Sequence, residues 1–91
     1  MPILLLTYDL NKEKSKADYE GFYRVIRQRP WARLTDSTYA IDTYASPGYI
    51  FNQLQPYIDE NDSVFVVTLS APWAGRGADA VVQWLRGRIP N

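Results

Sequence analysis

Two short, uninterrupted apolar runs near the two ends of the chain limit what it can fold into. The first occupies residues 3–9, with four apolar residues at its start, and the second occupies residues 64–69. Neither run contains a Gly or a Pro, and each is far shorter than the roughly 20 residues that cross a bilayer. Runs of this length predict buried strands. We therefore expect a sheet built around these two strands and no membrane-spanning segment.

Helical patterns and a pair of shorter strands fill the space between the two runs. Apolar side chains recur at helical spacing at positions 19, 22, 23 and 26, with Ser15 or Asp18 as the expected N-cap. Segments 31–34 and 37–43 are rich in Thr, Tyr and other residues typical of strands, which predicts two strands with a turn between them.

Three further signals mark where helices begin and end. Ser46 followed by Pro47 predicts a helix start, because Ser caps the free N–H groups and Pro is tolerated at the first helical position. Pro56 is expected to kink or end that helix. A last helical pattern covers 78–86, with Gly87 as its expected C-cap.

The predicted order is therefore β-α-β-β-α-β followed by a C-terminal helix. The chain has 91 residues, which predicts a single domain over 1–91. This order is typical of an α+β, ferredoxin-like sheet with its two main helices on one face. We expect the first and third strands to lie side by side in the middle of the sheet and to run parallel.

The composition restricts the chemistry that is open to the chain. It contains no Cys and no His, so thiol nucleophiles, zinc–thiolate sites and histidine bases are excluded. Any metal would be held by oxygen atoms, which favours Mg²⁺, Mn²⁺ or Ca²⁺. The N-terminus has no basic segment of a signal peptide, and we expect a soluble cytoplasmic protein.

Two aspartates stand at the ends of predicted strands. Asp9 ends the first strand and Asp42 lies near the end of the third. If those strands are parallel neighbours, both carboxylates emerge at the same edge of the sheet, where they can bind a divalent cation. The alternative is that each is an ordinary strand-end Asp that begins a turn.

Basic and aromatic residues suggest a second type of site. Arginines cluster around Trp31, and such a group can contact phosphates while the ring stacks on a base. Arg76 lies in a loop with two glycines and Trp73. The alternatives are a solvated helix end and a plain connector. The predicted nucleic-acid-binding residues are Arg24, Arg27, Trp31, Arg33 and Arg76, with Arg29 also in the cluster.

Several short motifs resemble one protein family. Leu-Leu-Thr-Tyr-Asp at 5–9 is similar to the end of the first strand in the small CRISPR adaptation proteins, the non-integrase partners in spacer acquisition. Segment 33–39 has their basic residue followed by a Ser before an aromatic strand, and 61–64 resembles their turn into the last core strand. The Asp-Tyr-Glu at 18–20 and the Trp31 region are most similar to standalone bacterial relatives labelled SinR-family.

The resemblance implies a ferredoxin-like homodimer in which Asp9 matches the aspartate of the metal site. It implies that Asp9 holds Mg²⁺ at a dimer cleft and that the protein is an endonuclease acting on phosphodiester bonds of RNA or DNA, in prokaryotic defence. The alternative function is a non-catalytic dimer that binds nucleic acid or protein and keeps only the fold. Apolar residues on both faces of the terminal strands favour a dimer through the sheet surface or edge.

Overall fold

A computed structural model describes residues 2–11 and 19–90. The expected caps Ser15 and Asp18 lie outside these residues, as does the Asp18 position of the family-like motif. Four strands and three α-helices follow one another along the chain: β1 Ile3–Asp9, α1 Tyr19–Ile26, β2 Trp31–Thr35, β3 Thr38–Asp42, α2 Pro47–Leu54, β4 Ser63–Leu69 and α3 Asp79–Arg88, with a 3₁₀ turn Gln55–Tyr57 after α2.

The helix start predicted at Ser46 and Pro47 is confirmed in α2. Ser46 caps this helix, because its hydroxyl oxygen accepts a hydrogen bond from the Tyr49 N–H at 3.1 Å. Pro47 is the first helical residue. The α-helix ends at Leu54, and Pro56 lies inside the 3₁₀ turn that follows, so the expected end of the helix near Pro56 is confirmed.

The four strands form one sheet in the order β2-β3-β1-β4, and every neighbouring pair is antiparallel. The expected neighbours β1 and β3 are therefore adjacent, but the expected parallel direction is wrong. A tight turn joins β2 to β3 and reverses the chain, whereas α1 carries the chain from β1 to β2. The connection through α1 returns the chain so that β2 runs in the same direction as β1. Because β3 runs opposite to β2, it also runs opposite to β1.

The sheet has helices on both faces. On the first face, Leu4, Leu6 and Tyr8 of β1 form one core cluster with residues of α1 and α2. On the second face, Ile3 and Ala40 form a smaller cluster with α3. The other fully buried large side chains belong to the first-face cluster, namely Phe22, Ile26, Tyr39, Ile41, Ile50 and Leu54.

Two contacts anchor the C-terminal end of the last helix. Trp73, in the loop before α3, donates its indole N–H to the carbonyl oxygen of Ile89, just past the end of the helix. Arg88 forms an ion pair with Asp42 of β3. The helix runs through Gly87 to Arg88, so the expected C-cap at Gly87 is wrong. None of the helices in 2–11 and 19–90 has the length and apolar character needed to cross a membrane.

Candidate functional site

Asp9 ends β1 at the mouth of a small cavity. The cavity has a volume of about 280 Å³, and the residues around it are Tyr8, Asp9, Leu10, Tyr23, Asp36 and Ser37. The antiparallel pairing brings the β2–β3 turn to this place, because Thr7 lies opposite Thr38. The Asp9 side chain is exposed, so a cation or a phosphate from solvent can reach its carboxylate.

Hydrogen bonds hold the β2–β3 turn against the end of β1. The Tyr8 N–H donates to the carbonyl oxygen of Ser37 at 3.1 Å, and the Tyr8 hydroxyl donates to the carbonyl oxygen of Asp36 at 3.3 Å. The carboxylate of Asp36 forms an exposed ion pair with Arg33 at 3.5 Å. Asp36 and Ser37 are therefore held beside Asp9 by the backbone rather than by their own side chains.

Three residues of this cavity carry side-chain oxygens of the type that Mg²⁺ binds. Asp9, Asp36 and Ser37 are among the residues around it, and Mg²⁺ in enzymes usually takes only one or two carboxylates together with waters and substrate phosphates. Within 2–11 and 19–90, no three Asp or Glu side chains are grouped closely enough to hold a metal. The donor set is therefore suited to an ion that shares its coordination with water and a phosphate, not to a closed protein cage.

Tyr8 acts in this cavity as a neutral hydrogen-bond donor. Burial raises the pKa of its phenol far above the ordinary value, and the neighbouring phenols of Tyr23 and Tyr39 add to the effect. Tyr8 is therefore protonated throughout the physiological pH range. It cannot act as a general base, and its proton stays available to fix the turn at Asp36.

The structure separates Asp42 from Asp9. Asp42 lies opposite Ile3, at one end of β1, while Asp9 lies at the other end, opposite Ser63. Ile3 and Asp9 are six residue steps apart along the strand, a distance of about 20 Å. The expected common edge is therefore wrong, and its cause is the antiparallel direction of β3. Asp42 instead accepts a hydrogen bond from Arg88 Nε at 3.0 Å and holds α3 against the sheet.

Arg27 is enclosed by aromatic rings beside the Asp9 cavity. Its guanidinium carbon lies 5.4 Å from the centre of the Tyr23 ring, 5.3 Å from Trp31 and 6.0 Å from Tyr39. Its Nη2 donates to the Tyr39 hydroxyl at 3.0 Å. Trp31 remains 40% exposed, so part of its ring is open to a ligand. We call Arg24, Arg27, Trp31 and Arg33 the arginine–tryptophan patch.

Not every predicted basic residue joins this patch. Arg24 and Arg27 border a shallow groove together with Tyr23. Arg33 lies two residues after Trp31 on the same strand and so projects from the same face. Arg29 turns to α2, where it donates to the Gln53 side chain at 3.3 Å. Arg76 lies beyond the sheet, beside the cavity under α3, and does not belong to the patch.

Tyr23 connects the patch to the Asp9 cavity. It borders the groove of Arg24 and Arg27 and also the cavity of Asp9 and Asp36. The contribution of Asp36 and Ser37 was missed from sequence, although the turn between two strands was recognised. That turn lies at the end of β1, next to Asp9, because β3 runs antiparallel to β1. The sequence patterns did not reveal this direction.

Comparison with known proteins supplies no family for this arrangement. No protein-family model matches the chain, and a search of curated proteins finds no match. The functional assignment therefore depends on the contacts of the Asp9 cavity and of the arginine–tryptophan patch.

Proposed function

We propose that this protein is a cytoplasmic homodimer of the CRISPR adaptation type, with a ferredoxin-like fold, that cleaves phosphodiester bonds of RNA or DNA with Mg²⁺ held at Asp9. The strand order β2-β3-β1-β4, with α1 and α2 sharing one core, is compatible with that fold. The observation that carries the proposal is the position of Tyr23, which places a carboxylate cavity directly beside a cationic and aromatic surface.

Each group around the cavity has a distinct role in this proposal. Asp9 and Asp36 would provide carboxylate oxygens for the cation, which would lower the pKa of a bound water and stabilise negative charge on the phosphate. Arg33 pairs with Asp36 and would bind a non-bridging phosphate oxygen. Tyr8 remains protonated and holds the turn that carries Asp36.

The patch would bind the neighbouring nucleotides. The guanidinium of Arg27 is already ordered by three rings, so little side-chain freedom is lost when it contacts a phosphate. The exposed part of Trp31 offers a surface on which a base can stack, an interaction that tolerates any sequence. Binding is therefore expected to favour single strands without strong sequence preference.

The test is cleavage of labelled single-stranded RNA and duplex DNA with and without Mg²⁺. Asp9→Asn keeps the shape of the side chain and removes its charge, so Mg²⁺-dependent cleavage should be lost while the melting temperature is nearly unchanged. Asp42→Asn is the matched control: it weakens the contact with Arg88, so the melting temperature should fall while cleavage persists. Undiminished cleavage by Asp9→Asn would disprove the metal site.

The second candidate function is binding without cleavage. It is favoured by the enclosed Arg27 and exposed Trp31, which need neither a metal nor Asp9. In that case the wild type would bind single strands equally well with and without Mg²⁺, cleave nothing, and bind unchanged after Asp9→Asn. Trp31→Ala would then weaken binding, since stacking contributes about 1–3 kcal/mol per base.

A further inference from the structure

The strand β4 is an unprotected edge of the sheet. Within the described residues it pairs on one side only, with β1. Its seven residues, Ser-Val-Phe-Val-Val-Thr-Leu, include no charge, no Pro and no Gly. Proteins usually blunt such an edge, because its free N–H and C=O groups are ready to pair with another strand. The unpaired edge of β4 is therefore able to accept a partner strand.

The opposite edge of the sheet shows the contrast. β2 follows Pro30 directly, carries the charged Arg33, and has an irregular register between Arg33 and Thr35. These are features that discourage strand pairing. Of the two sheet edges in the described part of the chain, β4 alone is thus suited to edge pairing, which favours a closed pair of copies over a chain of copies joined edge to edge.

Two large apolar side chains of β4 are also uncovered. Phe65 is 64% exposed and Val67 is 45% exposed, and both project from the second face of the sheet. On that face α3 packs near Ile3 and Ala40, toward the other end of β1 from the position opposite Phe65. The helix therefore leaves the middle of β4 open on both its edge and one face.

We propose that two copies of this chain join their β4 strands antiparallel about a two-fold axis at Val66, forming one eight-stranded sheet. In this register all seven residues of β4 lie opposite a residue of the other β4. Opposed residues in antiparallel strands share a face, so Phe65 of each copy meets Val67 of the other. Both exposed side chains of β4 thereby gain an apolar neighbour on the other strand, and no like charges meet at the axis.

The expected area of contact indicates a weak dimer. A seven-residue strand is about 23 Å long. Contact along one such edge is small beside the area above about 1,000 Å² that is typical of a specific interface. Dimerisation should accordingly depend on concentration in the micromolar range. This interface specifies the homodimer of the proposed function, and its test measures assembly rather than cleavage.

Sedimentation equilibrium over a concentration series tests the proposal. The wild type should change from monomer to dimer, and Phe65→Lys should raise the dissociation constant at least tenfold, because two charged side chains enter the interface. Tyr44→Lys is the matched control: it replaces an exposed aromatic residue in the loop after β3 and should leave the dissociation constant unchanged. A wild type that stays monomeric, or a dimer insensitive to Phe65→Lys, would overturn the interface.

Cysteine cross-linking tests the register. The chain has no Cys, so a single introduced thiol is unambiguous. Val66→Cys places its two thiols at the axis and should form a disulfide-linked dimer on oxidation. In Thr68→Cys the two residues stand about 13 Å apart, beyond the reach of a disulfide, and no cross-link is expected. Equal cross-linking of both variants would reject the Val66 axis.

The outcomes separate this inference from the proposed nuclease. A β4-linked dimer that cleaves nothing would leave the interface standing and reject the enzyme. A monomer that still cleaves with Mg²⁺ and loses cleavage in Asp9→Asn would support the metal site and reject the interface.

Discussion

At the scale of single residues, Asp62 joins parts of the chain that are distant in sequence. Its carboxylate accepts hydrogen bonds from the Asn11 N–H at 2.6 Å, the Asp59 N–H at 2.7 Å and the Tyr19 hydroxyl at 3.0 Å. Burial by itself would raise the pKa of Asp62, but the hydrogen bonds outweigh burial and lower it. The charged form therefore stabilises the fold where β4 begins and β1 has just ended.

The lowered pKa predicts a specific loss of stability in acid. Because the folded state binds this proton less readily than the unfolded state, the stabilisation is full above the unfolded pKa and disappears as the pH falls through the folded value. Asp62→Asn should lower the free energy of unfolding at pH 7 by about 2 kcal/mol, as measured by urea titration. It should also reduce the dependence of stability on pH below about 4.

Glu60 provides the control for this prediction. It lies in the same turn with its side chain exposed, so Glu60→Gln should change the free energy of unfolding by less than about 0.5 kcal/mol. If both variants lost the same stability, the hydrogen bonds of Asp62 would not be the source of the effect.

At the scale of elements, α3 is the part whose end the sequence misplaces. A Gly followed by Arg, Ile and Pro resembles a helix stop, yet the helix continues through Gly87 to Arg88. The Arg88 side chain binds Asp42, the Ile89 N–H donates to the Leu85 carbonyl, and the indole of Trp73 bonds the Ile89 carbonyl. The tertiary contacts of Arg88 and Trp73 hold the helix for two residues beyond its expected end.

Gly87→Ala distinguishes a helix that ends at Gly87 from a helix that continues through it to Arg88. A Cβ added at Gly87 meets no atom within 4 Å, and the backbone there is helical rather than left-handed. Alanine should therefore raise the free energy of unfolding by about 0.5–1 kcal/mol, because it favours the helix and restricts the unfolded chain. Thermal unfolding followed by circular dichroism measures the change. A loss of stability would mean that Gly87 ends the helix.

At the scale of the whole molecule, charge is balanced but unevenly placed. Ten basic and ten acidic residues give a net charge of zero, so no long-range attraction draws a polyanion to the protein. The arginine–tryptophan patch supplies the cations near the Asp9 cavity. Any affinity for nucleic acid should therefore come from a few phosphate contacts and should weaken steeply with salt.

The patch predicts the size of that salt effect. If Arg24, Arg27 and Arg33 each contact one phosphate of a short single strand, the logarithm of affinity should fall with the logarithm of salt concentration with a slope of about −2. Fluorescence anisotropy at several salt concentrations measures the slope. Arg33→Gln should make it shallower by about 0.7.

Arg76→Gln is the control for the salt experiment. Arg76 borders the separate cavity under α3, so its loss should leave the slope unchanged. If Arg76→Gln and Arg33→Gln changed the salt slope equally, the nucleic acid would not bind preferentially at the arginine–tryptophan patch.

The sequence alone was sufficient where the physical cause is local. Ser46 and Pro47 begin α2 because a cap and a fixed φ act within one turn, and Pro56 ends it because it cannot donate a hydrogen bond. The apolar runs became the adjacent strands β1 and β4 because burial follows the pattern of apolar residues. The place of Asp9 at the end of β1 follows for the same reason, since Asp9 directly follows such a run.

Tertiary structure alone decided which distant residues meet. The direction of β3 depends on how the β2–β3 turn and the α1 crossover combine, and no short segment encodes that combination. The antiparallel result carried Asp42 away from Asp9 to Arg88 and brought Asp36 and Ser37 to Asp9 instead. Residues become strands and helices through neighbours a few positions away, whereas a site forms from residues that only the pairing of strands brings together.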